Sequence, residues 1–245
     1  MILPVSVLFI SDLHLDESRP AITRAFYSFL NEKAASAQAL YILGDFFDAW
    51  IGDDDDAPLP QEVAQALRAL SDKGVAIYLM HGNRDFLLGD AYARACGASM
   101  LAEDTVIDLY GTPTLLTHGD NLCTDDAAYQ QFRAQVRSPA WQQQVLAQPL
   151  AVRRAMAAGM RSQSESMNSL KAEDIMDVSE TSVLQAMAKA GVQRLIHGHT
   201  HRPARHSMVL NGKPAERIVL GDWHNEGWCL VANSQEIRLE KWSLE

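Results

Sequence analysis

Three histidines alternate in the stretch RLIHGHTHRP, Arg194 to Pro203: His197, His199 and His201, out of only eight in the chain. Imidazoles spaced by two after a short apolar run either line one face of a strand or hold a metal. Other stretches carry partners for the second use. SDLH sets Asp12 and His14 on the same side of an extended segment. GDFFD places Asp45 directly after an apolar run and a glycine, HGNRD supplies Asn83, and THGD supplies His118. With His199 and His201, the donors are three carboxylate or amide oxygens and four imidazole nitrogens, with no thiolate. That mixture suits Mn²⁺, Fe²⁺ or Zn²⁺ better than Ca²⁺ or a structural zinc held by cysteines. Seven protein ligands exceed the needs of one ion, whereas two ions sharing a bridging carboxylate fit. Gly44, Gly82, Gly119 and Gly198 adjoin these groups and let the backbone turn sharply there. Singly, each group has a structural explanation, as a helix cap, a turn amide or a packed imidazole. His81, His206 and His224 are read that way.

Donors so far apart in sequence need a frame that gathers them. VSVLFI, ALYIL and VAIYLM read as strands; PAITRAFYSFLNEKAA and PQEVAQALRALSDKG, the latter closed by Gly74, read as helices. The β-α-β-α-β order predicts a mostly parallel sheet with helices against it. TVIDLY and TLLTH flank a turn, and Asn211-Gly212 marks a hairpin. GWCLVANSQEIRLEKW reads as a second hairpin, so the tail is expected to be antiparallel. Each candidate ligand follows a strand, and in an open α/β sheet ligands bind at the carboxyl ends of the strands.

The segment from about Asn121 to Asp177 differs. It is rich in Ala, Gln, Met and Arg and reads as a helical insertion within a single domain spanning 1–245. Ala127 to Lys171 holds six basic residues and one acidic residue, Glu165, so it carries +5 in a protein of net charge −10. The acidic run GDDDDAP, Gly52 to Pro58, reads as a solvated loop. The negative balance argues against a nucleic-acid partner, which calls for a basic surface. Cys96, Cys123 and Cys229 are odd in number and widely spaced, the pattern of reduced thiols in a cytoplasmic protein. The first residues make a poor signal peptide, and no run approaches the about 20 apolar residues that span a bilayer.

D-x-H, G-D-x-x-D, G-N-x-D, H-G-D and G-H-x-H, in this order from residue 12 to residue 201, resemble the motifs of the calcineurin-like metallophosphoesterases. YILGDFFDAWIGDDD, HGNRDFLLG, HGDNLCTDDAAYQQFR, IMDV and LIHGHTHRP are similar to the branch that hydrolyses the pyrophosphate bond of UDP-2,3-diacylglucosamine in lipid A biosynthesis. The resemblance implies an α/β fold: a metallophosphoesterase β-sandwich flanked by helices (αββα), with a helical cap. It implies two divalent ions, most simply Mn²⁺. Asp12, His14, Asp45 and His201 would hold one; Asp45, Asn83, His118 and His199 would hold the other. Catalysis would involve Asp45, Asn83, Arg84 and His118. Substrate contacts would be Asn83, Arg84, Asp126, Ser164, Asn168, Lys171 and His199. His197 precedes the G-H-x-H motif and is expected to be packed.

The implied reaction is water attack on the α-phosphorus, giving UMP and 2,3-diacylglucosamine 1-phosphate. Many relatives read G-N-H-[DE], with a histidine that acts on the leaving group; GNRD puts Arg84 there. Arginine is a poor proton donor but clamps phosphate oxygens, which suits a phosphate leaving group with a second pKa of about 6. Met156, Met160, Met167 and Met176 are candidates to line an acyl slot. Arg153, Arg154 and Arg161 are candidates to meet an anionic membrane on the cytoplasmic face of the inner membrane, where the protein would sit peripherally. No protein partner is implied. The rival readings are another dinuclear-metal phosphodiesterase or phosphatase of this superfamily, and a scaffold without activity. The filled ligand set speaks against the scaffold.

Overall fold

The computed structural model describes residues 6–168 and 177–244. The first half runs β1 (Val7–Ile10), α1 (Pro20–Glu32), β2 (Ala39–Leu43), α2 (Pro58–Ser71), β3 (Ala76–Met80), α3 (Asp90–Cys96), β4 (Ala98–Met100), β5 (Thr105–Leu109) and β6 (Thr112–Leu116). Then follow α4 (Ala127–Val136), α5 (Pro139–Leu146), α6 (Leu150–Asn168), α7 (Glu180–Ala190), β7 (Arg194–His197), β8 (Ala204–Leu210), β9 (Lys213–Val219), β10 (Glu226–Ala232) and β11 (Ile237–Ser243).

The β-α-β-α-β pattern forms as predicted, with β1, β2 and β3 parallel neighbours. Side chains alternate across these strands. Leu8, Ile10, Leu40, Ile42, Ile77 and Leu79 pack under α1 to α3, while Val7, Phe9, Leu43 and Met80 point the other way. A single open sheet would leave that second face in water. Instead β5 to β9 form a second sheet, in the order β5-β6-β7-β9-β8, against the first, β11-β10-β1-β2-β3-β4. Leu116, Ile196 and Ile218 fill the space between them. Their sequence neighbours Leu115 and Leu195 turn outward onto Val183 and Met187 of α7. The result is an αββα sandwich, and the parallel sheet read from the strand pattern is one half of it.

Two turns set this topology. Tyr110 and Gly111 (φ 52° and 84°) fold β5 back onto β6; Asn211 and Gly212 (φ 53° and 74°) do the same for β8 and β9. Positive φ at both central residues matches the twist of a two-residue hairpin. The tail is antiparallel as expected, except that β9 also pairs parallel with β7. The sequence reading passes over α3 and β4, which together lengthen the first sheet at its edge. Among the described residues no helix is long and apolar enough to cross a membrane.

Candidate metal centre

All seven candidate ligands follow strands, but the strands belong to both sheets. Asp12 and His14 follow β1, Asp45 follows β2 and Asn83 follows β3; His118 follows β6, and His199 and His201 follow β7. The site therefore sits on the rim where the two sheets meet, a correction to the single sheet edge expected from the strand pattern. Hydrogen bonds lace the loops together. Asp12 N donates to Gly44 O (3.1 Å), His14 N to Asp45 O (3.0 Å) and Gly198 N to His118 O (2.9 Å). Asp85, buried, accepts from Phe46 N (2.8 Å) and Gly82 N (2.7 Å), binding the loop of Asp45 to that of Asn83. A Cβ on Gly82 would lie 2.1 Å from Asp45 N, and one on Gly198 would lie 2.4 Å from Asp12 Oδ2. Only glycine allows this approach.

Among the described residues, eight that are not glycine have positive φ, and five of them are candidate ligands: Asp12, His14, Asp45, His199 and His201. Side chains with a Cβ adopt that region at a cost, and such strain gathers at functional sites. Two ligand groups result, Asp12 with His14 and His201, and Asp12 with Asp45 and His118. Asp45 Oδ2 lies 3.8 Å from His14 Nε2, and its Oδ1 lies 3.6 Å from His118 Nε2, so this carboxylate faces both sides of the cluster.

The donor set fits cations. His118 Nδ1 donates to Leu43 O (2.9 Å), which leaves Nε2 with its lone pair directed at Asn83 Oδ1, 2.9 Å away. Asn83 Oδ1 is also 2.8 Å from His199 Nδ1, and His14 Nε2 faces His201 Nε2 at 3.3 Å. Acceptors this close need a proton or a metal ion among them. Burial opposes protonation of His118, but the carboxylates of Asp45, Asp12 and Asp120 outweigh it and raise its pKa. Burial likewise opposes charge on His201, yet the hydrogen bond and charge of Asp12 raise it to about 9. Burial holds His14 down to about 3 and His199 to about 4, so both are neutral and able to coordinate near pH 7. Burial also raises Asp45 well above the usual carboxylate range.

Arg84 hangs beside this cluster. Its backbone N donates to Asp45 Oδ1 (2.9 Å), and its Nε lies 3.7 Å from Asp45 Oδ2, buried and without a hydrogen-bond partner. Asp126 is buried and caps α4 by accepting from Tyr129 N (3.0 Å). The expectations for the side chains of Ser164, Asn168 and Met167, and for Lys171 and Met176, fall outside the described residues. Met156 and Met160 line a cavity of about 310 Å³ whose other walls include Trp50, Phe86, Leu87 and Val145 and whose rim reaches Asn83 and Arg84. The sequence reading missed three contributors. Tyr129 stacks near His199 (6.2 Å between ring centres) and donates to Asp120 Oδ2 (2.6 Å). Asp120, buried directly after the H-G step, also accepts from Arg133 Nε (2.8 Å). Asp48, the last residue of GDFFD, collects arginines.

The basic helices and the acidic loop prove to be partners. Arg153 is buried, donating to Ile51 O (2.6 Å) and pairing with Asp54 (2.5 Å); Arg154 pairs with Asp55 (2.7 Å) and with Asp56; Arg161 pairs with Asp48. Asp53 accepts from Gly89 N (2.8 Å) and Tyr92 N (2.9 Å), at the start of α3. The acidic run is a loop with Asp54 and Asp56 exposed, as expected, but its carboxylates are paired rather than only solvated. The three arginines assigned to a membrane surface are engaged within the molecule, because opposite charges at the junction satisfy one another first.

His197 is packed, as expected: buried, with Nδ1 donating to Gly198 O (2.8 Å). Burial, then the charge of Arg217, lowers its pKa to about 3. A folded pKa below the unfolded value of about 6.5 means that the unfolded chain binds the extra proton. The stability from keeping His197 neutral is complete above pH 6.5 and is lost as pH falls toward 3. The slope for one such group is about 1.4 kcal/mol per pH unit. Thermal unfolding of metal-free protein is expected to shift to lower temperature from pH 6.5 to 5, with a shallower decline in His197→Gln. Equal slopes in both proteins contradict this assignment.

The calcineurin-like phosphoesterase family matches residues 5–203. A UDP-2,3-diacylglucosamine hydrolase of Cellvibrio japonicus (strain Ueda107) is 62% identical, covering 98% of this chain and 100% of the relative. Proteins of the same description from Marinobacter nauticus and Escherichia coli O139:H28 are 54% and 53% identical, covering 95% and 96% of this chain and 95% and 98% of theirs. The chain belongs to the calcineurin-like phosphoesterases and, among them, to the UDP-2,3-diacylglucosamine hydrolase family. Divalent metal binding goes with the first, and the carboxylate and imidazole groups on the rim could hold the metal.

Proposed function

We propose that the protein hydrolyses the pyrophosphate bond of UDP-2,3-diacylglucosamine: water adds to the α-phosphorus, the bond from that phosphorus to the bridging oxygen breaks, and UMP and 2,3-diacylglucosamine 1-phosphate leave. The observation that carries this reading is the apolar cavity whose rim is built from Asn83 and Arg84, at the edge of the ligand cluster. A lipid nucleotide needs that adjacency of an acyl slot and a phosphoryl site. Residues 1–245 act as one domain, with the helices between about 121 and 177 as its cap. Asp12, His14, Asp45 and His201 would hold one divalent ion and Asp45, Asn83, His118 and His199 the other, with Mn²⁺ the ion of choice. Such ions supply positive charge to phosphoryl oxygens and acidify water. The chain's own part is to orient. Leu43 O fixes the tautomer of His118, and Arg84 offers donors to the diphosphate. Asp126, Ser164, Asn168, Lys171 and His199 hold the nucleotide sugar.

The test is release of UMP from UDP-2,3-diacylglucosamine in H₂¹⁸O, read by mass spectrometry after metal removal and reloading. Label in UMP, with activity restored by Mn²⁺, supports the reading. Label in the sugar phosphate overturns attack at the α-phosphorus, and no UMP overturns the substrate. A panel of diesters and monoesters turned over faster than the lipid nucleotide would favour another phosphodiesterase or phosphatase of the superfamily.

The slot makes a further prediction. Met160→Trp should fill part of it and raise KM for the diacylated substrate by about tenfold or more, since each methylene kept in water costs about 0.8 kcal/mol. Turnover of UDP-glucosamine without acyl chains should be unaffected. A similar KM for the diacylated substrate in both proteins counts against acyl binding there.

Peripheral contact with the cytoplasmic face of the inner membrane belongs to the same reading, on apolar grounds. Of the large apolar residues left exposed among the described residues, Phe132, Leu146 and Val152 lie on α4, α5 and α6, and Phe132 also lines the cavity. Cosedimentation with phosphatidylglycerol-containing vesicles should drop in Phe132→Ser/Leu146→Ser. Equal binding by both proteins contradicts the apolar contact.

A further inference from the structure

Three arginines from distant parts of the chain meet one carboxylate beside the ligand cluster. Arg19, just before α1, brings Nη2 to 3.1 Å from Asp48 Oδ1. Arg84, after β3, brings Nη1 to 3.7 Å from the same oxygen. Arg161, on α6, pairs with that oxygen as well, and its Nη1 donates to Asp48 O at 3.2 Å. One carboxylate oxygen cannot use the donors of three guanidiniums, each with five N–H groups. The other carboxylates acting on these guanidiniums are Asp45, whose Oδ2 lies 3.7 Å from Arg84 Nε, and Asp16, which feels the charges of Arg19 and Arg161. The cluster opens on the apolar cavity, which Asp48, Arg84 and Arg161 all line, and Arg84 Nε is buried without a partner. The place lies between the metal ligands and the slot.

We propose that Asp48 is a positioning residue: its carboxylate gathers Arg19, Arg84 and Arg161 into a preformed site for the phosphate that departs with the sugar, and yields them when the diphosphate arrives. This rests on the lipid-nucleotide reading above. Guanidiniums crowded without a counterion repel and swing into water, where they must be reordered for each turnover. With Asp48 they wait in place, and the guanidinium donors that its carboxylate cannot use meet the incoming anion. Because Arg161 belongs to α6, the same carboxylate also holds that helix against the catalytic rim.

Asp48→Asn keeps the size and removes the charge. The site becomes more positive but less ordered, so kcat should fall about tenfold or more while KM for the lipid nucleotide does not rise. Asp48→Glu should recover part of kcat. In Asp48→Asn/Arg161→Gln the losses should combine to less than the product of the single losses, since both act on one cluster. An unchanged kcat in Asp48→Asn, or a rise in KM as the sole effect, overturns the proposal. If Asp48→Asn folds poorly, Arg19→Gln carries the test. Inorganic pyrophosphate binding to the metal-loaded protein, by calorimetry, should weaken severalfold in Arg19→Gln, and an unchanged Kd overturns the proposal. Pyrophosphate binding that depends on Arg19 in a wild type that releases no UMP would sink the substrate reading and leave the arginine site standing.

Discussion

Asp45→Asn is expected to lower kcat for the lipid nucleotide by about 10³-fold or more, equivalent to about 4 kcal/mol of lost transition-state stabilisation, and to reduce bound metal measured by elemental analysis. The carboxylate faces the ligands of both proposed ions, with one oxygen toward His14 and the other toward His118. An amide has one oxygen and no charge to offer between two cations. The fold should survive, because the amide oxygen can still accept from Arg84 N as Asp45 Oδ1 does. A second measurement separates this from general damage. Burial makes ionisation of Asp45 unfavourable, and Asp85 and Asp12 add like charge. Relieving that burden should leave the metal-free variant at least as stable as metal-free wild type in thermal unfolding. Metal should then raise Tm strongly in wild type and weakly in the variant, because a ligand stabilises the state that binds it. A variant that holds metal and turns over like wild type would remove the bridging role.

The ligand loops were legible because their chemistry is local. An oxygen or imidazole beside a glycine, directly after an apolar run, marks a strand end even when the strand's partners are unknown. The positive φ values at Asp12, His14, Asp45, His199 and His201 were not legible. Asp and His enter the left-handed region more readily than most residues, but residue type alone does not say which of them do so; the bonds between loops impose it here. The division into two sheets follows the sandwich that the motif resemblance implied, but the strand pattern alone did not show it. β1 to β3 are buried on both faces, and the residues covering the second face come from β6, β7 and β9, far along the chain. At seven residues, α3 is too short for apolar periodicity to stand out, and its start is held by Asp53, more than thirty residues earlier. Charge misled most. Counting Arg153, Arg154 and Arg161 as a basic surface ignored the acidic run about a hundred residues away that meets Arg153 and Arg154 in the fold, and Asp48, which meets Arg161. Asp48 shows the same limit from the other side: its importance comes from arginines at 19, 84 and 161, and no local pattern joins those positions.

Arg84→Ala should lower kcat by about 10² to 10³-fold, the usual scale for losing one aimed donor to transition-state charge, with a smaller change in KM. The side chain is placed for this. Its Nε is buried without a partner and lies 3.7 Å from Asp45 Oδ2. A buried guanidinium nitrogen left unsatisfied is costly, and an incoming phosphoryl oxygen would complete it. Arg84→Lys should retain part of the rate, because the charge remains while the planar fork is lost. Arg84→His distinguishes charge from proton donation. A departing phosphate needs no proton near neutral pH, so histidine should not restore hydrolysis of the lipid nucleotide. On a diester with an alkyl leaving group, whose oxygen does need a proton, Arg84→His should outperform both wild type and Arg84→Ala. If Arg84→His turns over the lipid nucleotide at the wild-type rate, arginine at this position has no special part in diphosphate cleavage. If it gains nothing on the alkyl diester, the leaving group is not what selects the residue that follows Asn83.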